Sequence, residues 1–219
     1  MNRHPEEDQA PSGTRGKKDL TGSSKQLVEL VRRAQRGDSD AFQSLYVAYS
    51  KRILNYLFRM TGSRSAAEDL AQDTFVMAFR KIDTVKDPAR FQSWLFRIAQ
   101  NNTYQRFRGQ KVRLESIDAS PGEEDDEARD LPSSGQSPQQ EALSVELEGR
   151  IQEAIAELPE KYRTVFVLSA VQQMSYQQIS GIVGRSLSSV KSDIHRARLQ
   201  VRDKIKDYLG DNYGMSGLY

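Results

Sequence analysis

An all-α fold, with two small helical domains joined by a flexible acidic linker, is what the sequence predicts. Three observations carry this expectation. Apolar residues recur at steps of three and four through residues 42–104 and again through 143–205, the period of helices with one buried face. Sustained period-two alternation and the hairpin dipeptides Asn-Gly and Asp-Gly are missing from the sequence, so nothing in it signals a strand. Between the two periodic blocks, Glu123-Glu-Asp-Asp-Glu127 and Leu131-Pro-Ser-Ser-Gly-Gln-Ser-Pro138 are too polar to offset the entropy of ordering. The expected organisation is a disordered tail at 1–23, a helical domain at 24–110, the linker at 111–140, a second helical domain at 141–208 and a tail at 209–219.

In the first block, Phe42, Leu45, Tyr46, Tyr49, Ile53, Leu57 and Met60 mark one long amphipathic helix, opened by Asp40 and closed by Gly62. Ser65 and Glu68 have capping-box spacing and start the next helix. Its expected inner stripe is Leu70, Phe75, Ala78, Phe79 and Ile82, and its outer face presents Asp69, Gln72, Asp73, Val76 and Arg80. Lys86-Asp-Pro88 ends the run, because proline lacks the amide a helix interior needs. A further helix then holds Phe91, Trp94, Leu95, Ile98 and Tyr104, completing a bundle of three or four helices.

The second block repeats the logic. Leu143, Leu147, Ile151, Ile155 and Leu158 lie on one helix stopped by Pro159, and Tyr162, Val165, Phe166 and Ser169 lie on the next. Ser175 and Gln178 form another capping box, opening a short helix with Ile179, Ile182 and Val183 inside. Gly184-Arg185 supplies a turn, and a last helix buries Leu187, Val190, Ile194, Ala197, Val201 and Ile205. A short helix, a glycine turn and a longer basic helix make a helix-turn-helix pattern.

Charge is distributed unevenly along this framework. The net charge of +2 is a cancellation: residues 90–113 carry six basic and no acidic side chains, whereas residues 114–184 carry 4 basic and 14 acidic. Such segregation suits a polyanionic partner touching two separate places. The longest aliphatic-aromatic run, Val165 to Leu168, is far short of the roughly 20 residues of a bilayer span. The start, Met1 to Asp8, lacks the apolar core of a secretory signal. With no Cys, disulfides, thiolate metal sites and cysteine nucleophiles are excluded. A cytoplasmic protein without membrane insertion and without a cofactor is therefore expected.

An enzyme reading lacks its parts. The two histidines, His4 and His195, fall in a tail and on a basic helix, which leaves no His-based general base and no His-rich metal site. Gly181-Ile-Val-Gly184-Arg-Ser186 lacks the lysine and the spacing of a phosphate loop, and no Gly-x-Ser-x-Gly occurs. No catalytic residue and no metal ligand is assigned.

Two regions carry residue types suited to nucleic acid, although the residues of each also fit an ordinary solvated basic face. On the last helix, Lys191, His195, Arg198 and Arg202 stack at helical spacing with Ser188, Ser192 and Arg196 beside them. Arginine and lysine neutralise phosphates or bond to guanine, and serine and histidine are short polar readers, so this face fits a major groove. The second region, Phe91 to Arg113, combines its cations (Arg97 and Arg106 among them) with Phe91, Trp94, Phe96, Tyr104 and Phe107 and the amides Asn101 and Asn102. Unburied rings stack on unpaired bases and amides bond their edges. A helix with an aromatic core and a basic surface has the same composition, and residues alone leave that alternative open.

Taken together, the segments resemble a bacterial sigma factor of the extracytoplasmic-function group. Four stretches carry the resemblance: Gly37-Asp-Ser-Asp-Ala-Phe-Gln-Ser-Leu-Tyr46; Ala67-Glu-Asp-Leu-Ala-Gln-Asp-Thr-Phe75; Phe91-Gln-Ser-Trp-Leu-Phe-Arg-Ile-Ala-Gln-Asn101; and Leu158-Pro-Glu-Lys-Tyr-Arg163 through Ser175-Tyr-Gln-Gln-Ile179 to Ser189-Val-Lys-Ser-Asp-Ile-His-Arg-Ala-Arg198. The resemblance implies an alternative sigma factor, a dissociable subunit that brings core RNA polymerase to promoters and helps to melt them, itself catalysing nothing. It implies a −10-element domain followed by a −35-element domain. Asp69, Gln72 and Asp73 would dock on the clamp coiled coil of the polymerase's largest subunit. Asn101 would hold a flipped non-template base, with Asn102, Trp94, Arg97 and Arg106 around it and the loop from Lys86 to Phe91 aiding capture. Ser188, Lys191, Ser192, His195, Arg196 and Arg198 would meet the −35 element. The acidic linker would thread toward the catalytic cleft, and an anti-sigma factor is an expected further partner.

Several positions depart from the usual pattern of the group. Asp193 stands where arginine is common, Gln105 replaces a frequent Asp, Gln178 a frequent Glu, and Ser188-Ser189 a frequent Gly-Thr. Facing an anionic duplex, Asp193 has the wrong sign, so Asp193→Arg is expected from sequence to tighten promoter binding.

Overall fold

A computed structural model describes residues 23–116 and 138–213. Within them the chain forms α1 (Ser23–Gln35), α2 (Ser39–Thr61), α3 (Arg64–Lys81), α4 (Phe91–Ser116), α5 (Pro138–Ala156), α6 (Glu160–Phe166), α7 (Tyr176–Val183) and α8 (Leu187–Tyr213). Single turns of 3₁₀ helix at Ile82–Thr84 and Pro88–Arg90 link α3 to α4, and a π-helical turn at Val167–Val171 continues α6. No strand occurs among the described residues. The acidic run at 123–127 and most of both expected tails lie outside them.

Local chemistry sets the helix ends, in places one or two residues from the expected ones. Asp38, not Asp40, caps α2, because its carboxylate accepts the Ala41 amide at 3.0 Å. That bond, together with Arg33, holds the Asp38 carboxyl below the usual carboxylate range. Gly62 ends α2 in the left-handed region, φ 73°, where a side chain would be strained. Ser63, not Ser65, caps α3, its hydroxyl accepting the Ala66 amide at 3.2 Å. The capping box of Ser175 and Gln178 forms as the spacing predicts, and Gly184 closes α7 at φ 65°.

Helix α1 was not marked by the sequence. It packs Val31 and Ala34 into the core, and its Gln35 amide donates to the Ile82 and Val85 carbonyls at 3.2 and 2.9 Å. Those bonds satisfy the carbonyls of the turn leading to α4. Rings organise the interior: Tyr49 meets Phe91 edge-on at 5.4 Å, and Tyr56 meets Phe96 at 5.5 Å. Two aromatic assignments on α2 and α3 change. Tyr46 and Phe79, expected inside, are 47% and 56% exposed, because each sits at the edge of its stripe and packs against one ring, Phe75 and Phe42 respectively.

The two blocks also pack on one another, with α2 and α4 of the first touching α5, the π-helical turn and α7 of the second. Three arginines fasten this seam. Arg52 donates to the Gln172 carbonyl at 3.0 Å, Arg163 to the Met60 carbonyl at 2.8 Å, and Arg59 to Gln152 at 3.1 Å and to Glu148. Burial pushes the pKa of all three guanidiniums down, and the bonds across the seam offset the cost of burying their charge.

Candidate nucleic-acid interface

The helix-turn-helix is built by α7, the turn at Gly184 and α8. Val190, Ile194, Ala197 and Val201 seat α8 on the core. The opposite face leaves Ser188, Lys191, Ser192, His195, Arg196 and Arg198 all exposed, so the six residues expected to meet a duplex share one surface. Arg196 is held from the side: its guanidinium donates to the Tyr162 hydroxyl of α6 at 3.4 Å. That contact draws the Tyr162 phenol below its ordinary pKa, and the Lys161 ammonium stands 4.6 Å over the same ring. Asp193 does not belong to this surface. It is buried and paired with Arg185 from the turn, so the sequence expectation that it faces DNA is overturned.

On α4 the expected set divides. Arg97 and Asn101 are exposed one helical turn apart, Lys86 is exposed on the preceding loop, and Trp94 is half-buried. Phe91 is 1% exposed and packed between Tyr49 and Trp94, so it shapes the loop from inside and offers no free face for a base. Asn102 is likewise buried, at 8% exposure, and its amide donates to the Thr74 hydroxyl of α3 at 3.2 Å. Both are corrected to core residues: helical spacing turns Asn102 100° away from Asn101 and into the α3–α4 contact. Arg106 is half-buried at an open groove of about 550 Å³ between α3 and α4, shared with Arg80, Lys81 and Gln105.

Asp69, Gln72 and Asp73 are exposed together on α3. Beside them lies an apolar groove of about 950 Å³, with Phe42 and Tyr46 of α2 on one wall and Val76 and Phe79 of α3 on the other. Among the described residues no cluster of three or more His, Asp or Glu is placed to hold a metal ion, and no helix is long and apolar enough to cross a membrane.

Comparison with known proteins fits this geometry. The family model for Sigma-70 region 2 matches residues 45–113, spanning α2 to α4, and that for Sigma-70, region 4, matches residues 148–201, spanning α5 to α8. The ECF RNA polymerase sigma factor SigW of Bacillus subtilis is 34% identical over 83% of this chain and 97% of its own length. The chain belongs to the ECF group of sigma factors. The ECF RNA polymerase sigma-E factor of Haemophilus influenzae is also 34% identical, over 81% of this chain and 94% of its own. The solved structure of CnrH, in complex with the cytosolic domain of CnrY, has 25% identity and a TM-score of 0.61, covering 83% of this chain and 97% of CnrH. This sigma factor therefore directs transcription initiation, as a DNA-binding subunit of RNA polymerase.

Three of its residues were not singled out by sequence reasoning: Thr74, Tyr162 as a partner of Arg196, and Arg185 as a partner of Asp193. Thr74 and Tyr162 act through neighbours distant in sequence, and Arg185 reaches Asp193 from a turn outside the helix, a contact that helical spacing does not announce. Thr74 gives a direct test. Asn102→Ala is expected to cost this sigma factor about 1 kcal/mol, because the buried Thr74 hydroxyl loses the amide that donates to it and keeps only its own bond to the Leu70 carbonyl. Thermal unfolding measures that loss, and at temperatures where the variant stays folded its binding to single-stranded −10 DNA is expected to equal wild type.

Proposed function

We propose that this sigma factor reads the −35 element with the exposed face of α8 and holds an unpaired non-template base of the −10 element with Asn101 on α4. In this reading it docks on the clamp coiled coil of the largest polymerase subunit through Asp69, Gln72 and Asp73. The single observation that carries the reading is the shared exposure of Ser188, Lys191, Ser192, His195 and Arg196 directly after the Gly184 turn. That is the geometry by which a recognition helix enters a major groove. The docking face gains support from the apolar groove beside its carboxylates, since an exposed apolar patch with a polar rim suits a protein partner. The protein acts in the cytoplasm and catalyses nothing itself; nucleotide addition belongs to the core enzyme. CnrH is in complex with the cytosolic domain of CnrY in its solved structure, which supports a protein partner beyond polymerase for this chain too; the family resemblance implies that this partner is an anti-sigma factor.

Asn101 separates base capture from first encounter. Base capture needs a nucleotide already pulled from the stack, so Asn101→Ala is expected to slow open-complex formation and weaken non-template-strand binding by about tenfold, leaving closed-complex binding nearly intact. A template with a pre-melted bubble removes most of the unstacking cost and is the control. Wild-type activity of the variant on the duplex promoter sinks the assignment, and an equal loss at the closed complex makes Asn101 structural.

A further inference from the structure

Arg185 stands in the turn between α7 and α8, and its side chain runs along the first two turns of α8. Its Nη2 donates to the Ser189 hydroxyl at 2.7 Å and pairs with Asp193, and these two partners lie four residues apart on one helix face. The backbone of Arg185 is tied as well. Its carbonyl accepts the Ser180 hydroxyl, and its amide donates to the Ser180 carbonyl at 3.3 Å. The Asp193 side chain is only 7% exposed, against 33% for Arg185. Burying a charge is costly unless it is paired and hydrogen-bonded, so the guanidinium that pairs with Asp193 is committed to the protein.

This arrangement couples the last turn of α7 to the start of the recognition helix through one side chain. It also withdraws the charge of Arg185 from the duplex-facing surface, leaving Ser188, Lys191 and Ser192 as the groups that the first turns of α8 offer. Arg185 bonds both Ser189 and Asp193. We infer that Arg185, Ser189 and Asp193 form a clamp, anchored on the buried Asp193 carboxylate, that sets the pose of α8 and thereby the −35 base preference. They are positioning residues and touch no base. The inference rests on the reading of α8 as the −35 helix.

The test uses the full chain with core polymerase and a promoter library varied at the −35 element, scored by sequenced transcripts, with melting curves to fix a temperature at which every variant is folded. Asp193→Asn keeps shape and removes charge; it is expected to reduce discrimination between the best and singly substituted −35 elements by about fivefold or more, the loss of one base-reading contact. Arg185→Lys reaches Asp193 without the second arm of the fork and is expected to have a smaller effect in the same direction. Arg185→Ala added to Asp193→Asn is expected to change little further, since coupled partners are not additive. An unchanged library profile overturns the clamp, as does a uniform loss across all −35 sequences, which is what a merely structural pair gives. If wild type shows no dependence on −35 sequence at all, the −35 reading of α8 itself fails and the clamp's role with it.

Discussion

Asp69→Lys combined with Asp73→Lys is expected to abolish co-purification with core RNA polymerase while leaving the fold intact. Both carboxylates are exposed on one face of α3, beside a groove whose walls carry Phe42, Tyr46, Val76 and Phe79. Reversing two charges at a docking surface turns attraction into repulsion, and losses of about 2 kcal/mol at each give at least a 100-fold drop in affinity. Exposed substitutions away from caps and core change stability by less than about 0.5 kcal/mol each, so the melting temperature is expected to stay within a few degrees. Retention of core binding by a folded double variant would place the polymerase interface elsewhere. A Phe79→Ala variant extends the test: if the apolar groove contributes, it weakens core binding without unfolding, because Phe79 is more than half exposed.

The second large effect concerns Asp193, where structure reverses the sequence expectation. Asp193→Arg is expected to destabilise the protein by about 3 kcal/mol, because it replaces a buried carboxylate with a second cation facing Arg185. For a chain of this size that corresponds to a fall in melting temperature of about 6–12 °C. Promoter binding is expected to weaken with it. Tighter promoter binding at an unchanged melting temperature would restore the exposed position that sequence alone suggests. The comparison with Asp193→Asn separates loss of a pair from creation of a repulsion, the arginine variant being the more damaging.

Much of the fold was legible because the signals are local. The three-four spacing of Leu45, Tyr49, Ile53 and Leu57 fixes which side of α2 is buried, whatever packs on it. The capping box at Ser175 and Gln178 and the glycine turn at Gly184 need only neighbouring atoms, and both formed where spacing predicts. Helix starts slipped by two residues at Asp38 and Ser63, since Asp and Ser recur near both ends and only the realised backbone selects which side chain reaches an amide.

The candidate surface was legible for the same reason on α8, where every expected reader is exposed. On α4 it was legible only in part, because composition cannot say which of two adjacent amides faces out. Asn101 and Asn102 are chemically identical, and a packed α3 with Thr74 in reach is what pulls one of them inside.

The sequence by itself determined that this protein is of the all-α class, that its second block carries a helix-turn-helix with a basic outer face, and that its ordered motifs resemble those of the ECF sigma factors. Periodicity, capping and charge are properties of residues near one another along the chain, so they are readable without coordinates. Only the tertiary structure decided that Phe79 stays outside, that Asn102 and Phe91 are core, and that the blocks are fastened by Arg52, Arg59 and Arg163. It alone decided that Asp193 answers Arg185 and turns away from DNA. A buried charge is defined by the partner that neutralises it, and partners meet through packing rather than through a pattern written along the chain.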